Sequence, residues 1–440
     1  MHNKYLTSFV RRAVLKFQKT PIMQIFWLYL LFYAPAAQAN TIEPNVYVIG
    51  SDGHLWANYL VHTQSTSHWV DYGAVPAPTK VPGVTLHRQK YYTAHNFILG
   101  GDGKVYLEDI LNNSPSWNNE WDISGQCFVG GTYFRSGKPL SDHYEDLTRL
   151  FAVAKDGSVT VIYDNPDGVW SVSSLGKPNS SVECGTGLAL TFDEKGVKPH
   201  PGIMVRRQLD GHILNLWWTG NQWQWNDRGK PRSGGEITSA VGSLITSNRK
   251  DVEFYNNTRL NEQPHFFYTA SDKHLWVLYG TADASQWAWF DLEAPNSVQV
   301  LSGLGALDNG WGKNPHAFVL GSDTNVWAKY LDGGVWHWHN MGRPPKDSHG
   351  NEIKLVGRVG TLGNCDVMYS GDIQGSYCFN ARTSYLFVIG SDKHLWMLWL
   401  SGGRWLWRDL GTPGPYVDVV SGVGAIADYS EFRKDYKERQ

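Results

Sequence analysis

Apolar residues along this chain fall in short runs broken by Gly, Asp, Asn and Pro, and no sustained 3.6-residue apolar period runs through it. That pattern predicts a nearly all-β protein. The runs recur as one unit: a short apolar strand, a turn containing Asp, a Leu/Val-Trp strand, a loop, a Trp-x-Trp strand and Gly-x-Pro. The clearest copy runs from Phe387 through Gly390-Ser391-Asp392-Lys393-His394-Leu395-Trp396, then Trp405-Leu406-Trp407 and Gly411-Thr412-Pro413. The turn Asp returns at Asp52, Asp102, Asp156, Asp210, Asp272, Asp323 and Asp392, which makes seven copies separated by 50 to 69 residues. This is the length of a four-stranded propeller blade with its loops.

Three residues past each turn Asp stands an apolar residue: Leu55, Val105, Val159, Ile213, Leu275, Val326 and Leu395. Two residues further on the apolar type is kept except at Asn215. A spacing of two places both on one strand face, where they fill a layer between blades. After each Gly-x-Pro region comes a strand of small residues, such as Ser302-Gly303-Leu304-Gly305-Ala306 or Ser421-Gly422-Val423-Gly424-Ala425. Small side chains suit the innermost strand of a blade, where neighbouring backbones converge on a central channel. The repeat enters at Val46 without an inner strand and ends with an extra one, Val417 to Ala427. The expected fold is therefore an all-β, seven-bladed β-propeller whose C-terminal inner strand closes the first blade, leaving no exposed sheet edge there.

Residues 1–39 read as a secretory signal peptide: Lys4, Arg11, Arg12, Lys16 and Lys19, an apolar run from Ile22 to Tyr33, and the cleavage pattern Ala37-Gln38-Ala39. That run is too short for the roughly 20 apolar residues of a membrane span. The propeller domain is assigned to residues 40–440, and the protein is expected to be exported, either secreted or periplasmic, with no stable membrane insertion. Of the 39 Lys and Arg, five lie in the signal; the remaining 34 face 41 Asp and Glu, a formal charge of −7. With no basic cluster in the mature chain, nucleic acids are poor partners.

Cys127 and Cys184 stand three residues before Gly130 and Gly187 in equivalent inner strands of successive blades, and Cys365 and Cys378 bracket a short insertion. Disulfides Cys127–Cys184 and Cys365–Cys378 are expected, although four cysteines allow three pairings. Zinc is the alternative, but neither pair has C-x-x-C spacing. No metal or cofactor is expected.

Tryptophan carries the candidate chemistry. Four residues before the closing Gly it recurs at Trp69, Trp121, Trp225, Trp289, Trp338 and Trp407, as packing would require. Two residues earlier stand Trp170, Trp223, Trp287, Trp336 and Trp405, nearer the strand start and so at the rim. Four residues after the turn Asp the residue varies: Trp56, Trp276, Trp327 and Trp396 against Tyr106, Thr160 and Leu214. Variation on a repeated scaffold is what sites present in some blades produce, and what drift produces too. The turn Asp is read as a hairpin residue rather than a calcium ligand. His54, His212, His274 and His394 are read as hairpin or rim residues, and Asp71, Asp227, Asp291 and Asp409 as turn acceptors.

Gly-Ser-Asp-x-His-Leu-Trp, Trp-x-Trp and Gly-x-Pro, repeated over residues 46 to about 427, resemble the seven-bladed PLL-like bacterial lectins and, more distantly, the six-bladed fungal fucose-specific lectins. The resemblance implies fucose or O-methylated sugars held between adjacent blades against an aromatic ring. It carries over to Trp56, Trp276, Trp327 and Trp396, with Trp223, Trp287, Trp336 and Trp405 behind them. No Arg/Glu pair recurs at fixed places in each blade, a departure from the fungal pattern. The leading reading is a non-enzymatic, multivalent lectin for cell-surface glycans, and a homo-oligomer is compatible with it. The alternatives are a protein-interaction propeller, in which the Trp set is only core, and a polysaccharide-acting hydrolase or lyase.

Overall fold

A computed structural model describes residues 43–428 apart from 62–65, 78–81, 89–92, 110–116, 137–144, 165–168, 193–199, 220, 233–234, 248–261, 281–285, 309–314, 363–367, 371–375 and 379–383. The chain divides into units 1–41 and 42–440, and the account below concerns the second. The expected signal peptide lies outside the described residues, as does Cys365 and with it the expected Cys365–Cys378 bond.

Seven four-stranded antiparallel sheets form a seven-bladed propeller. Each inner blade sheet is covered on both faces by its neighbours, so its middle strands are apolar on both sides rather than alternating. Tyr385–Gly390 is buried along its whole length, whereas the outermost strand Val335–Gly342 alternates between exposed and part-buried positions from Val335 to His339 and buries only Met341. The hydrophobic core is accordingly a set of layers between blades. One joins Val46 and Val48 of the first blade to Phe387, Ile389 and Met397 of the seventh.

Ring closure follows the expected order. Glu43–Gly50 pairs with Val419–Asp428, with Val46 opposite Ala425 and Tyr47 opposite Gly424. A reciprocal pair of bonds locks the seam: Ser51 N donates to Asp418 O at 2.8 Å, and Asp418 N to Ser51 Oγ at 3.0 Å. The Ser just before the turn Asp accepts from the start of the inner strand in three other blades, at Ser271, Ser322 and Ser391.

The small-residue strands are innermost and carry a feature beyond crowding. In the blades that begin at Gly125, Ile237, Val300, Leu355 and Val419 each inner strand is bulged twice. The first bulge turns out Gln126, Thr238, Leu301, Val356 and Val420, which are exposed; the second turns Val129, Val241, Leu304, Val359 and Val423 into the interblade core. An extra residue at each bulge bends the strand and re-aims its side chain. Cys127 and Cys184 are bonded, with Cα atoms 5.9 Å apart on neighbouring inner strands.

Antiparallel order sorts the connections. The Asp turns and the Gly-x-Pro links lie at one end of every blade, the turn end. Connections from innermost to second strand, and from third to outermost, lie at the other, the loop end.

Candidate functional site

Each turn Asp is a structural acceptor. Its carboxylate takes the backbone N–H two residues on in all seven blades, from His54, Lys104, Ser158, His212, His274, Asn325 and His394. This is the Asx turn that makes Asp favourable there. It also takes the indole N–H of the Trp four residues on: Trp56 at 3.1 Å, Trp276 at 3.0 Å, Trp327 at 3.2 Å and Trp396 at 3.0 Å. In the second blade the Tyr106 hydroxyl replaces the indole at 2.6 Å from Asp102, and this bond pushes the Tyr106 pKa up to about 12. Trp276 and Trp396 are 4% and 5% exposed, enclosed by core residues, while Trp56 and Trp327 are half-buried. Thus the four leading sequence candidates have their polar edge committed to the turn.

Trp69, Trp289 and Trp407, at one place on the outermost strand, staple blades together, whereas Trp338 at the same place buries its Nε1 without an acceptor among the described residues. Trp69 donates to Leu410 O at 3.2 Å, Trp289 to Arg228 O at 2.9 Å and Trp407 to Met341 O at 3.0 Å, each acceptor belonging to the preceding blade.

The first Trp of the pair stands at the loop end of the outermost strand, with its ring against the second strand of the preceding blade. Trp170 meets Phe97 at 5.7 Å between ring centroids, Trp223 meets Phe151 at 5.7 Å, Trp336 meets Phe267 at 6.0 Å and Trp405 meets Phe318 at 5.4 Å, all edge-on. These four rings are half-buried, and no acceptor among the described residues takes their indole N–H. Trp287 differs, because the Arg228 guanidinium covers its ring at 4.6 Å. In the first blade this place holds Ser67 and in the second Asn119.

Polar partners stand beside these rings. His316 lies 5.3 Å from Tyr330 and 6.2 Å from Trp405; His95 lies 5.5 Å from Trp170; His265 lies 6.0 Å from Tyr279 on the blade face that meets Trp336. Beside Trp223 the set changes to Trp218 at 5.6 Å. Burial lowers the His265 pKa to about 4, so its ring is neutral, with Nδ1 bonded to Gln263 O at 3.0 Å. The sequence reading missed this histidine and tyrosine set. Its signal was a second fixed spacing: His95, His265 and His316 stand seven residues before a turn Asp, and Tyr59, Tyr163, Tyr279 and Tyr330 seven after. Each cleft thus combines an aromatic edge, an indole donor with no acceptor among the described residues and, in three of them, a histidine.

At the turn end, His54, His212, His274 and His394 each pair Nδ1 with the carboxylate of Asp71, Asp227, Asp291 or Asp409 at 2.9 to 3.0 Å. The same four Asp residues accept the N–H two residues on, closing the strand end as expected. Among the described residues one group has metal-ligand spacing, Asp210, His212 and Asp227. Arg207 already bridges its two carboxylates, at 2.6 and 2.8 Å, and holds the Asp210 pKa well below the usual carboxylate range.

No family model matches the chain, and no curated protein matches it. Solved structures do. A fungal lectin from Aleuria aurantia, a six-bladed β-propeller with a novel fucose recognition mode, is 16% identical, with 77% of this chain and 97% of that chain covered and a TM-score of 0.43. The SapL1 lectin, in complex with α-methyl fucoside, is 9% identical over 69% of this chain and 97% of that one, with a TM-score of 0.39. A Bacteroides uniformis protein, provisionally named a 6-phosphogluconolactonase, is 10% identical over 88% and 99%, with a TM-score of 0.49.

Proposed function

We propose that this propeller is a non-enzymatic carbohydrate-binding protein, a multivalent lectin whose sites are the loop-end clefts between blades. The observation that carries the reading is the division of labour among the tryptophans. The Trp four residues after the turn Asp spends its indole N–H on the turn, Trp69, Trp289 and Trp407 spend theirs on the preceding blade, and Trp170, Trp223, Trp336 and Trp405 have no acceptor among the described residues. A half-buried ring with a free donor suits a sugar, whose C–H face packs on the aromatic surface while a hydroxyl takes the N–H. The neutral His265 beside the Trp336 cleft offers a further hydrogen-bonding edge without charge. Sites of this kind that bind weakly one at a time gain avidity when several engage one glycan-coated surface.

Fucose and O-methylated sugars are the first ligands to try, on the resemblance to PLL-like lectins. Export is part of the proposal, supported by the signal-like N-terminus and by the Cys127–Cys184 disulfide, which suits an oxidising compartment. A glycan array bearing fucosides and O-methylated sugars tests the function, with the Trp336→Ala/Trp405→Ala variant alongside. Wild-type binding that the variant loses in large part is the expected result. No glycan bound by either protein would turn the reading toward a protein-interaction propeller.

A further inference from the structure

The central channel contains a cation that the interblade clefts do not use. Arg358 lies in the inner strand Leu355–Leu362 of the seventh blade, at the place taken by Gly303 in the sixth blade, Ala240 in the fifth and Gly422 in the first. Its Nη1 donates to Ala240 O at 3.0 Å, so the side chain crosses the sixth blade, where Gly303 leaves it room. The residue is exposed to solvent, while the surrounding protein partly desolvates its guanidinium. Burial lowers its pKa, and no carboxylate among the described residues offsets that cost. An arginine has five N–H donors, and a single hydrogen bond among the described residues leaves the guanidinium edge available to a bidentate oxyanion.

Next to this cation lies an apolar arc. Leu301, Val356 and Val420 are the residues turned out at the first bulge of the sixth, seventh and first blades, and they are 49%, 58% and 53% exposed. Each stands two residues closer to the turn end than Gly303, Arg358 or Gly422, a step of about 6.5 Å along a strand. In the fifth and third blades the outturned residues are polar, Thr238 and Gln126. Exposed apolar side chains gathered on three adjacent blades at a concave mouth mark a binding surface rather than scattered exposure.

We propose that the turn-end mouth of the channel binds a small amphipathic carboxylate, its oxyanion held by Arg358 and its apolar body laid on Leu301, Val356 and Val420. The site is separate from the clefts at the loop end and does not depend on sugar binding there. A free phosphate offers the same oxyanion without the apolar body.

Calorimetric titration of the whole mature protein with octanoate, octanamide and inorganic phosphate separates these cases. Octanoate is expected to bind, with octanamide and phosphate each about tenfold weaker or worse, since a charged hydrogen bond and an apolar body each contribute on that scale. Arg358→Gln removes the cation while keeping a polar side chain, and is expected to lose about tenfold in octanoate affinity. Val356→Ser alters an exposed side chain and should weaken octanoate severalfold with phosphate unchanged. The proposal is overturned if octanoate does not bind, if octanamide matches it, or if Arg358→Gln in a folded protein binds it as well as wild type. Phosphate matching octanoate, with Val356→Ser without effect, overturns the apolar half. Glycan binding should be unaltered by both substitutions.

Discussion

A single carboxylate at each turn organises several groups, and its loss should be felt accordingly. Asp272 accepts from His274 N at 3.0 Å and from Trp276 Nε1 at 3.0 Å. Asp272→Ala leaves a buried indole N–H unpaired, so a loss of about 2 kcal/mol in urea unfolding is expected, and less than about 0.5 kcal/mol would contradict the structural role given to the Asp. His265 makes a prediction in pH. Its folded pKa is lowered from 6.5 to about 4, so between those values the unfolded chain binds a proton that the folded chain does not, and stability falls as pH drops through that window. The contribution is about 3 kcal/mol across the window. Comparing wild type with His265→Gln at pH 7 and pH 4 checks it: the variant should lose less stability on acidification, and an equal loss would refute the assignment. The turn role of Asp was legible in Ser-Asp-x-His because the Asx turn is a local device. The Asp272 bond to Trp276 was not, because it depends on how the two sides of a twisted hairpin face each other.

Strand order and blade count followed from periodicity, and so did the need for small residues inside. The double bulge did not, because Gly303-Leu304-Gly305 reads equally as regular strand; what decides is the approach of the next blade. A Cβ on Gly303 would stand 2.6 Å from Val241 Cα, and one on Gly422 would stand 2.5 Å from Arg358 O. Both obstacles are backbone and cannot swing aside. Gly303→Ala is therefore expected to cost about 1–3 kcal/mol by thermal or urea unfolding, as overpacking does, with Gly422→Ala similar. If both variants match wild type, the inner strands are not in the close apposition described. The loop-end clefts were half-legible for the same reason: Trp336 and Trp405 were visible as a recurring position, but that their rings meet Phe267 and Phe318 of another blade is a tertiary fact.

Closure places the first and last strands of the ring in one sheet, and the Cys127–Cys184 bond joins two neighbouring blades on its other side. The cross-link spans 57 residues, so replacing both cysteines with Ser is expected to lower stability by up to about 4 kcal/mol in the chain-entropy picture. An unchanged unfolding midpoint under non-reducing conditions would contradict that. The ring also repeats its clefts unequally: the indole N–H groups of Trp170, Trp223, Trp336 and Trp405 have no acceptor among the described residues, while Arg228 covers Trp287. The most direct test of the central claim is calorimetric stoichiometry with the best monosaccharide from the array, for wild type, Trp336→Ala/Trp405→Ala and Trp276→Phe. The account predicts that the double variant loses the Trp336 and Trp405 sites while Trp276→Phe keeps the wild-type number. Unchanged stoichiometry in the double variant, or loss of sites in a folded Trp276→Phe protein, would contradict it.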